Sequence, residues 1–222
     1  MIYTANMAIN ENKQIYEKQM ISVDISLFTR KDNTLMVLLA RRNEEPFKNH
    51  WSLIGGGVYN TESCEQAIIR ESHEKIGLTD IKPILTGVSS EPNRDPRFRN
   101  ISVYYLGVIE AHNALNLNPQ KITEVALFPL SAIPLMAFDH KDILQKTLIQ
   151  LQSKIYDIDF IKSFAPDNFT LANLQIFYES ILQQKLDKRN FRRKLASLDC
   201  LIKTGEKNTS DPHKKSELYK FK

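Results

Sequence analysis

Apolar and polar positions alternate from residue 20 to 29 (MISVDISLFT), the period-two signature of a strand that buries one face. Lys31-Asp32-Asn33 supplies a turn, and residues 34–40 form a second apolar run, so the two segments are predicted to pair as a hairpin. From Glu62 to Ile76 the period becomes helical, with Ala67, Ile68, Ile69 and Ile76 apolar and Gly77 where a helix-ending glycine belongs. Between these segments, Gly55, Gly56 and Gly57 are three of only seven glycines. Such a run predicts backbone at positive φ or in close approach to another group. Further strands are expected over 84–90, 101–110 and 125–130, interrupted by a loop at 93–97.

Beyond Phe138 the pattern turns helical. A stretch opening at Asp139 or His140 and running to about residue 155 places Ile143, Leu144, Thr147, Leu148 and Leu151 on one side, and it is predicted to bridge two domains. Thr170 suits the N-cap of a helix ending near 182, and Asp187 that of another ending near 199. Residues 201–204 and 218–221 read as short strands around a polar stretch. Helix, turn, basic helix and hairpin is the order of a winged helix.

Length and charge sharpen this division. A chain of 222 residues favours two unequal domains, here 1–150 and 155–222. The longest apolar run, residues 35–40, is far short of a membrane span, and Asn10, Glu11, Asn12 and Lys13 do not make a signal peptide, so a cytoplasmic protein without membrane contact is expected. Cys64 and Cys200 suggest neither a disulfide framework nor a metal pair. The net charge of +4 is uneven: residues 1–149 hold 16 basic against 17 acidic side chains, and residues 150–222 hold 14 against 9. Six basic residues and one acid fall within 185–194, an electrostatic footprint for a polyanion or a solvated helix face.

Candidate chemistry starts at Gly56. Five residues on stands Glu62, and seven further on Arg70-Glu71-Ser72-His73-Glu74-Lys75-Ile76-Gly77-Leu78. This resembles the Nudix signature, G-x5-E-x7-R-E-U-x-E-E-x-G-U with U aliphatic, and departs from it at Ser72 and at Lys75, which replaces the last glutamate. Residues 71, 74 and 75 are spaced to share one helix face. In such domains carboxylates converge there on Mg²⁺, which bridges diphosphate oxygens and activates water. Lys75 brings a cation to that face, either weakening metal binding or neutralising a phosphate directly. Glu62 and Arg70 are expected to pair and tie helix to loop, and His73 is expected at the surface.

A second group of residues narrows the resemblance. Leu39-Ala40-Arg41-Arg42, Pro46-Phe47, Trp51-Ser52-Leu53 and the stretch Arg94-Asp95-Pro96-Arg97-Phe98-Arg99-Asn100 are similar to Nudix domains that handle ADP-ribose or related sugars, above all the Nudix-related transcriptional regulators of bacteria, the NrtR-like family. The C-terminal Leu186-Asp187-Lys188-Arg189-Asn190-Phe191-Arg192-Arg193-Lys194 and Leu218-Tyr219-Lys220-Phe221 resemble their closing winged helix. The resemblance implies an α/β fold, a Nudix α/β/α sandwich with a mixed sheet followed by a winged helix-turn-helix. Its effector pocket would be bordered by Arg41, Arg42, Arg94, Asp95, Arg97, Arg99 and Lys75. Duplex DNA would be met by Lys188, Arg189, Asn190, Arg192, Arg193, Lys203, Lys214 and Lys215, in a homodimer that reads two half-sites. The implied activity is that of a repressor released by ADP-ribose, by another NAD-metabolism product or by a sugar, with no cofactor required. The alternative is a Mg²⁺-dependent ADP-ribose pyrophosphatase using the residual box, Gly56, Glu62, Arg70, Glu71 and Glu74, with Glu71 and Glu74 on the metal.

Overall fold

A computed structural model describes residues 18–110, 117–208 and 216–222. β1 (Met20–Lys31) and β2 (Thr34–Arg42) form the predicted hairpin, with Asp32 and Asn33 at φ of 48° and 63°, as a two-residue hairpin turn of this hand requires. β3 (Trp51–Ser52), β4 (Ile54–Gly57), α1 (Cys64–Ile76), β5 (Ile84–Ser89), β6 (Asn100–Val108) and β7 (Ile122–Pro129) follow. The sheet order is β3-β2-β1-β6-β5, with β4 also on β1 and β7 also on β2. β1 and β6 run parallel and the other pairings antiparallel, so the sheet is mixed, as the resemblance implies.

The period-two alternation sorts side chains onto two faces. Val23, Ile25, Leu27, Leu38 and Ala40 pack with Ala67, Ile68 and Ile76 of α1. Phe28, Leu35, Val37 and Leu39 pack on the opposite side with Ile143, Leu144 and Leu151 of α2 (His140–Ser153), completing the sandwich. Ile69, expected on the apolar side of α1, is instead exposed. Ser72 takes an aliphatic position with its buried hydroxyl satisfied, donating to the Ile68 carbonyl at 2.8 Å. Ser63 and Gln66 form a reciprocal capping box at the start of α1, and Gly77 ends it at φ 72°.

A short α3 (Ile158–Lys162), absent from the sequence reading, is a single turn capped by Asp157. α4 (Leu171–Leu182) and α5 (Lys188–Ser197) start at the predicted caps, where Thr170 and Asp187 accept from Asn173 N and Asn190 N. Each cap contributes about 1 kcal/mol. β8 (Leu201–Asn208) and β9 (Ser216–Phe221) make the wing, joined to the helices by reciprocal Phe169–Tyr219 backbone hydrogen bonds of 2.9 and 2.8 Å.

Packing continues across the division read from the sequence near residues 150–155. One hydrophobic core runs from Phe28, Leu35 and Val37 through Ile143 and Leu151 to Phe177, Tyr178, Phe191 and Leu195. Leu35 N donates to Ser180 Oγ at 2.9 Å, Gln152 Nε2 to Ile181 O at 2.9 Å, and the Arg30 guanidinium lies 4.9 Å from the Phe177 ring. Among the described residues, no helix is long and apolar enough to cross a membrane.

Candidate functional site

The glycine run is explained by close approach. A Cβ on Gly56 would stand 2.3 Å from the Glu71 carboxyl, and one on Gly55 would meet the Val23 carbonyl at 2.1 Å. None of the three glycines adopts positive φ. The strand therefore lies directly against the carboxylate face of α1.

On that face the predicted Glu62–Arg70 pair forms, with hydrogen bonds of 2.9 and 2.7 Å, and Arg70 also donates to Gly57 O at 2.9 Å. The hydrogen bond from Arg70 holds the Glu62 carboxyl below its ordinary range, and Glu62 in return raises Arg70. Arg70 Nη1 reaches Glu71 Oε1 at 2.7 Å and approaches Glu74 Oε1 at 3.6 Å. Lys75 Nζ stands 3.2 Å from Glu71 Oε2 and donates to the Gly55 carbonyl. Lys121 Nζ holds Glu74 Oε2 at 2.8 Å, which lowers Glu74 and raises Lys121. Lys121, which no motif marks, is brought in from the turn just before β7. His73 is exposed, as expected.

Beside this face a cavity of about 240 Å³ opens between the glycine strand and the loop preceding β6. Its lining includes Arg42, Lys75, Arg97, Phe98, Phe138 and His140. Phe138 is the unforeseen centre: it sits at φ 51°, a conformation that a bulky residue adopts only when its surroundings hold it there. The Arg42 and Arg97 guanidinium carbons lie 4.9 and 5.6 Å from its ring centroid, and the Phe47 ring packs against it at 4.8 Å. Burial, and next the charge of Arg97, push Arg42 below its usual range, so an arriving anion would relieve both.

Below lies a buried polar network. Arg94 is bidentate on Asp139 at 2.9 and 2.8 Å, and Asp139 also accepts from Ser89 Oγ at 2.6 Å. Asp24 accepts from Ser102 Oγ at 2.5 Å and lies 3.4 Å from both Arg94 Nη2 and His140 Nε2. Leu53 N donates to His140 Nδ1 at 3.0 Å, so Nδ1 carries no proton and the proton of the neutral ring is on Nε2, facing Asp24. Burial keeps His140 below its ordinary pKa against the opposing pull of Asp24 and Asp139.

The structure thus divides the expected effector residues. Arg42, Arg97 and Lys75 line the cavity. Arg94 and Asp95 also border it, with side chains only 3% exposed and paired internally, Arg94 with Asp139 and Asp95 with Arg97. Arg41 pairs with Glu124 and donates to Asn49 O, while Arg99 donates to Ser90 O; neither borders the cavity.

At the other end of the chain, Phe191 and Leu195 turn α5 into the core, leaving Lys188, Arg189, Asn190, Arg192 and Arg193 exposed together. Asn190 Oδ1 accepts from Arg193 at 3.0 Å. Glu179 fixes the turn before α5 by accepting from Lys185 Nζ, Leu186 N and Gln175 Nε2, bonds that pull its carboxyl down to about 2. Lys203 is exposed on the wing, and Lys214 and Lys215 lie outside the described residues.

Comparison with known proteins matches both parts. A NUDIX domain model covers residues 18–147, and a model of the NrtR DNA-binding winged helix domain covers 163–221. The ADPR responsive transcriptional repressor NtrR of Acinetobacter baylyi is 31% identical over 218 residues, 94% of this chain and 84% of that protein. An ADP-ribose pyrophosphatase of Methanocaldococcus jannaschii is 37% identical over 125 residues, 56% of this chain and 71% of that protein. The crystal structure of Shewanella oneidensis NrtR superposes with TM-score 0.70 at 30% identity over 92% of this chain and 94% of that one. The same protein complexed with a 27mer DNA gives 0.68 at 28% identity over 91% and 93%, and its NUDIX domain complexed with ADP ribose gives 0.56 at 29% identity over 61% and 90%. With both domain models in order along one chain and whole-length similarity to two NrtR proteins, this chain belongs to the NrtR family of Nudix proteins that end in a winged helix.

Proposed function

We propose that the chain is a transcriptional repressor that holds operator DNA through α5 and the wing and releases it when ADP-ribose, or a related product of NAD metabolism, enters the cavity beside α1. One observation carries this reading. The carboxylates that would run hydrolysis are each held by a basic side chain, while the basic face of α5 lies open. A site built to bind without turning over, coupled to a surface built to meet phosphates, is a sensor. α2 supplies the link, since its first residue, His140, floors the cavity and Gln152 near its end donates to α4, the partner of α5. A second copy supplies the second recognition helix, because half-sites recur about one turn of duplex apart. A cytoplasmic location goes with this reading, since DNA and such an effector meet there.

The test begins with duplexes selected from a random pool by the full-length protein. Wild type is expected to bind the enriched duplex with steep salt dependence, about 0.9 in log-log slope per phosphate contact, and to release it on addition of ADP-ribose. Arg192→Ala/Arg193→Ala abolishes DNA binding while ADP-ribose still raises the melting temperature. Unchanged affinity of the double variant for the enriched duplex refutes the assignment of α5. ADP-ribose turnover at an ordinary enzymatic rate, on the order of 1 to 10³ s⁻¹, lost in Glu74→Gln, replaces the repressor reading with the hydrolase.

A further inference from the structure

Nudix domains hold a divalent cation on the carboxylate face of this helix, and the side chains here do not fit one. Glu71 Oε1 is taken by Arg70 and Oε2 faces Lys75; Glu74 Oε2 is taken by Lys121; Glu62 is closed by Arg70 and by Tyr59 N at 2.8 Å. Among the described residues there is no group of three or more acidic, His or Cys side chains that could hold a metal. A cation arriving on this face meets three resident positive charges that cancel its three glutamates. The Coulomb term therefore offers no net attraction, where an uncovered carboxylate pair favours binding.

We infer that the Lys75 ammonium is the cation of this pocket, excluding the metal from the α1 face and presenting its own positive charge to the ligand's phosphate. The geometry supports both halves. Lys75 Nζ bridges Glu71 Oε2 and the Gly55 carbonyl, the junction of helix face and glycine strand, and the residue lines the cavity that holds Arg42 and Arg97. An ammonium has three donors. The Gly55 carbonyl takes one and Glu71 pairs with the charge, so donor capacity is left for an acceptor in the cavity that Lys75 lines. A hydrated metal ion must be recruited from solution, whereas this charge is covalently tethered, so the affinity of the site does not depend on divalent ion concentration.

The second half rests on the phosphate-bearing effector proposed above, so the test has two arms. In the first, Mn²⁺ alone is titrated into full-length protein and followed by its free-ion electron paramagnetic resonance signal. Wild type is expected to leave the signal unchanged to millimolar metal, and Lys75→Glu to bind one Mn²⁺ per chain. Sub-millimolar binding by wild type, or a Lys75→Glu protein with a native melting profile that binds no better than wild type, overturns the inference. In the second arm, calorimetry of ADP-ribose gives the same affinity in EDTA and in Mg²⁺ for wild type. Lys75→Met, which keeps the aliphatic stem and removes the charge, loses roughly tenfold or more, the worth of one charged hydrogen bond. Tenfold tighter binding in Mg²⁺ by wild type, or unaltered affinity in Lys75→Met, overturns it as well. Absence of ADP-ribose binding under every condition strikes the proposed effector, and the Mn²⁺ arm then decides the role of Lys75 alone.

Discussion

Arg94 and Asp139, 45 residues apart in the chain, grip each other through two near-parallel hydrogen bonds of 2.9 and 2.8 Å beneath the cavity floor. Arg94 is therefore tied into the fold. Its removal leaves Asp139 and Asp24 without their buried counter-charge. Arg94→Ala is expected to destabilise the fold by about 3–5 kcal/mol, read as a lower urea midpoint. A midpoint within error of wild type would show that the pair has no structural role.

Arg97 is more open. Its side chain is 45% exposed and lies near Phe138, paired with Asp95, whose side chain is only 3% exposed. Arg97→Ala removes that counter-charge and is expected to destabilise the fold by about 1–3 kcal/mol. It should weaken ADP-ribose binding by one to two decades, the value of a charged hydrogen bond of about 1.5–3 kcal/mol. Arg41→Ala and Arg99→Ala, whose side chains lie outside the cavity, serve as controls with wild-type affinity by calorimetry. An Arg97→Ala affinity equal to that of the controls would remove Arg97 from the binding site.

Buried His140 gives the fold a pH dependence of defined sign. Its folded-state pKa is depressed, so as pH falls below about 6.5 the unfolded chain takes up a proton that the folded chain refuses. Stability therefore decreases with falling pH through that window, at up to about 1.4 kcal/mol per unit for the one proton. Asp24 and Asp139 act against the shift, while Arg94 and Arg42 reinforce it. His140→Gln is expected to flatten this part of the profile in urea melts taken between pH 7 and pH 5. Parallel profiles would assign the slope to other groups.

Tyr178 lies wholly inside the core, and its hydroxyl has no hydrogen-bond partner among the described residues. A buried unpaired hydroxyl costs about 1–3 kcal/mol, and removing it leaves the contact with Phe191 at 5.2 Å intact. Tyr178→Phe is expected to be neutral or to raise the melting temperature by a few degrees in calorimetry. A loss of stability would reveal a partner for that oxygen.

What could be read from the sequence had a local cause. The β1–β2 hairpin, α1, α4 and α5 announce themselves through periodicity, turn residues and caps at fixed offsets, and the Glu62–Arg70 pair follows from spacing within one motif. α3 escaped because five residues are too few to show a period. The cavity was only half legible, since arginine content marked the loop at 93–99 but not which of its guanidiniums face inward. That choice is made by Asp139, Asp95 and the Ser90 carbonyl, whose positions follow from strand register and long connections. Phe138 carried no signal beyond standing before a helix. Lys121 reaches Glu74 across 47 residues, a distance at which pairing depends on the whole sheet.

The apolar seam that joins the sheet of the sensor to α4, with Leu35 donating to Ser180, bears on how such proteins diversify. A regulator strung together by a tether can exchange its sensing module as a bead is exchanged on a thread. This one is closer to a single casting: grafting its C-terminal end onto a foreign N-terminal domain would uncover Phe177 and the side of α4 that meets the sheet, and a working chimera must carry the matching surface of β2 and α2 along with it. New ligand specificities should therefore arise by substitution around the cavity rim, with the keel of the molecule inherited whole.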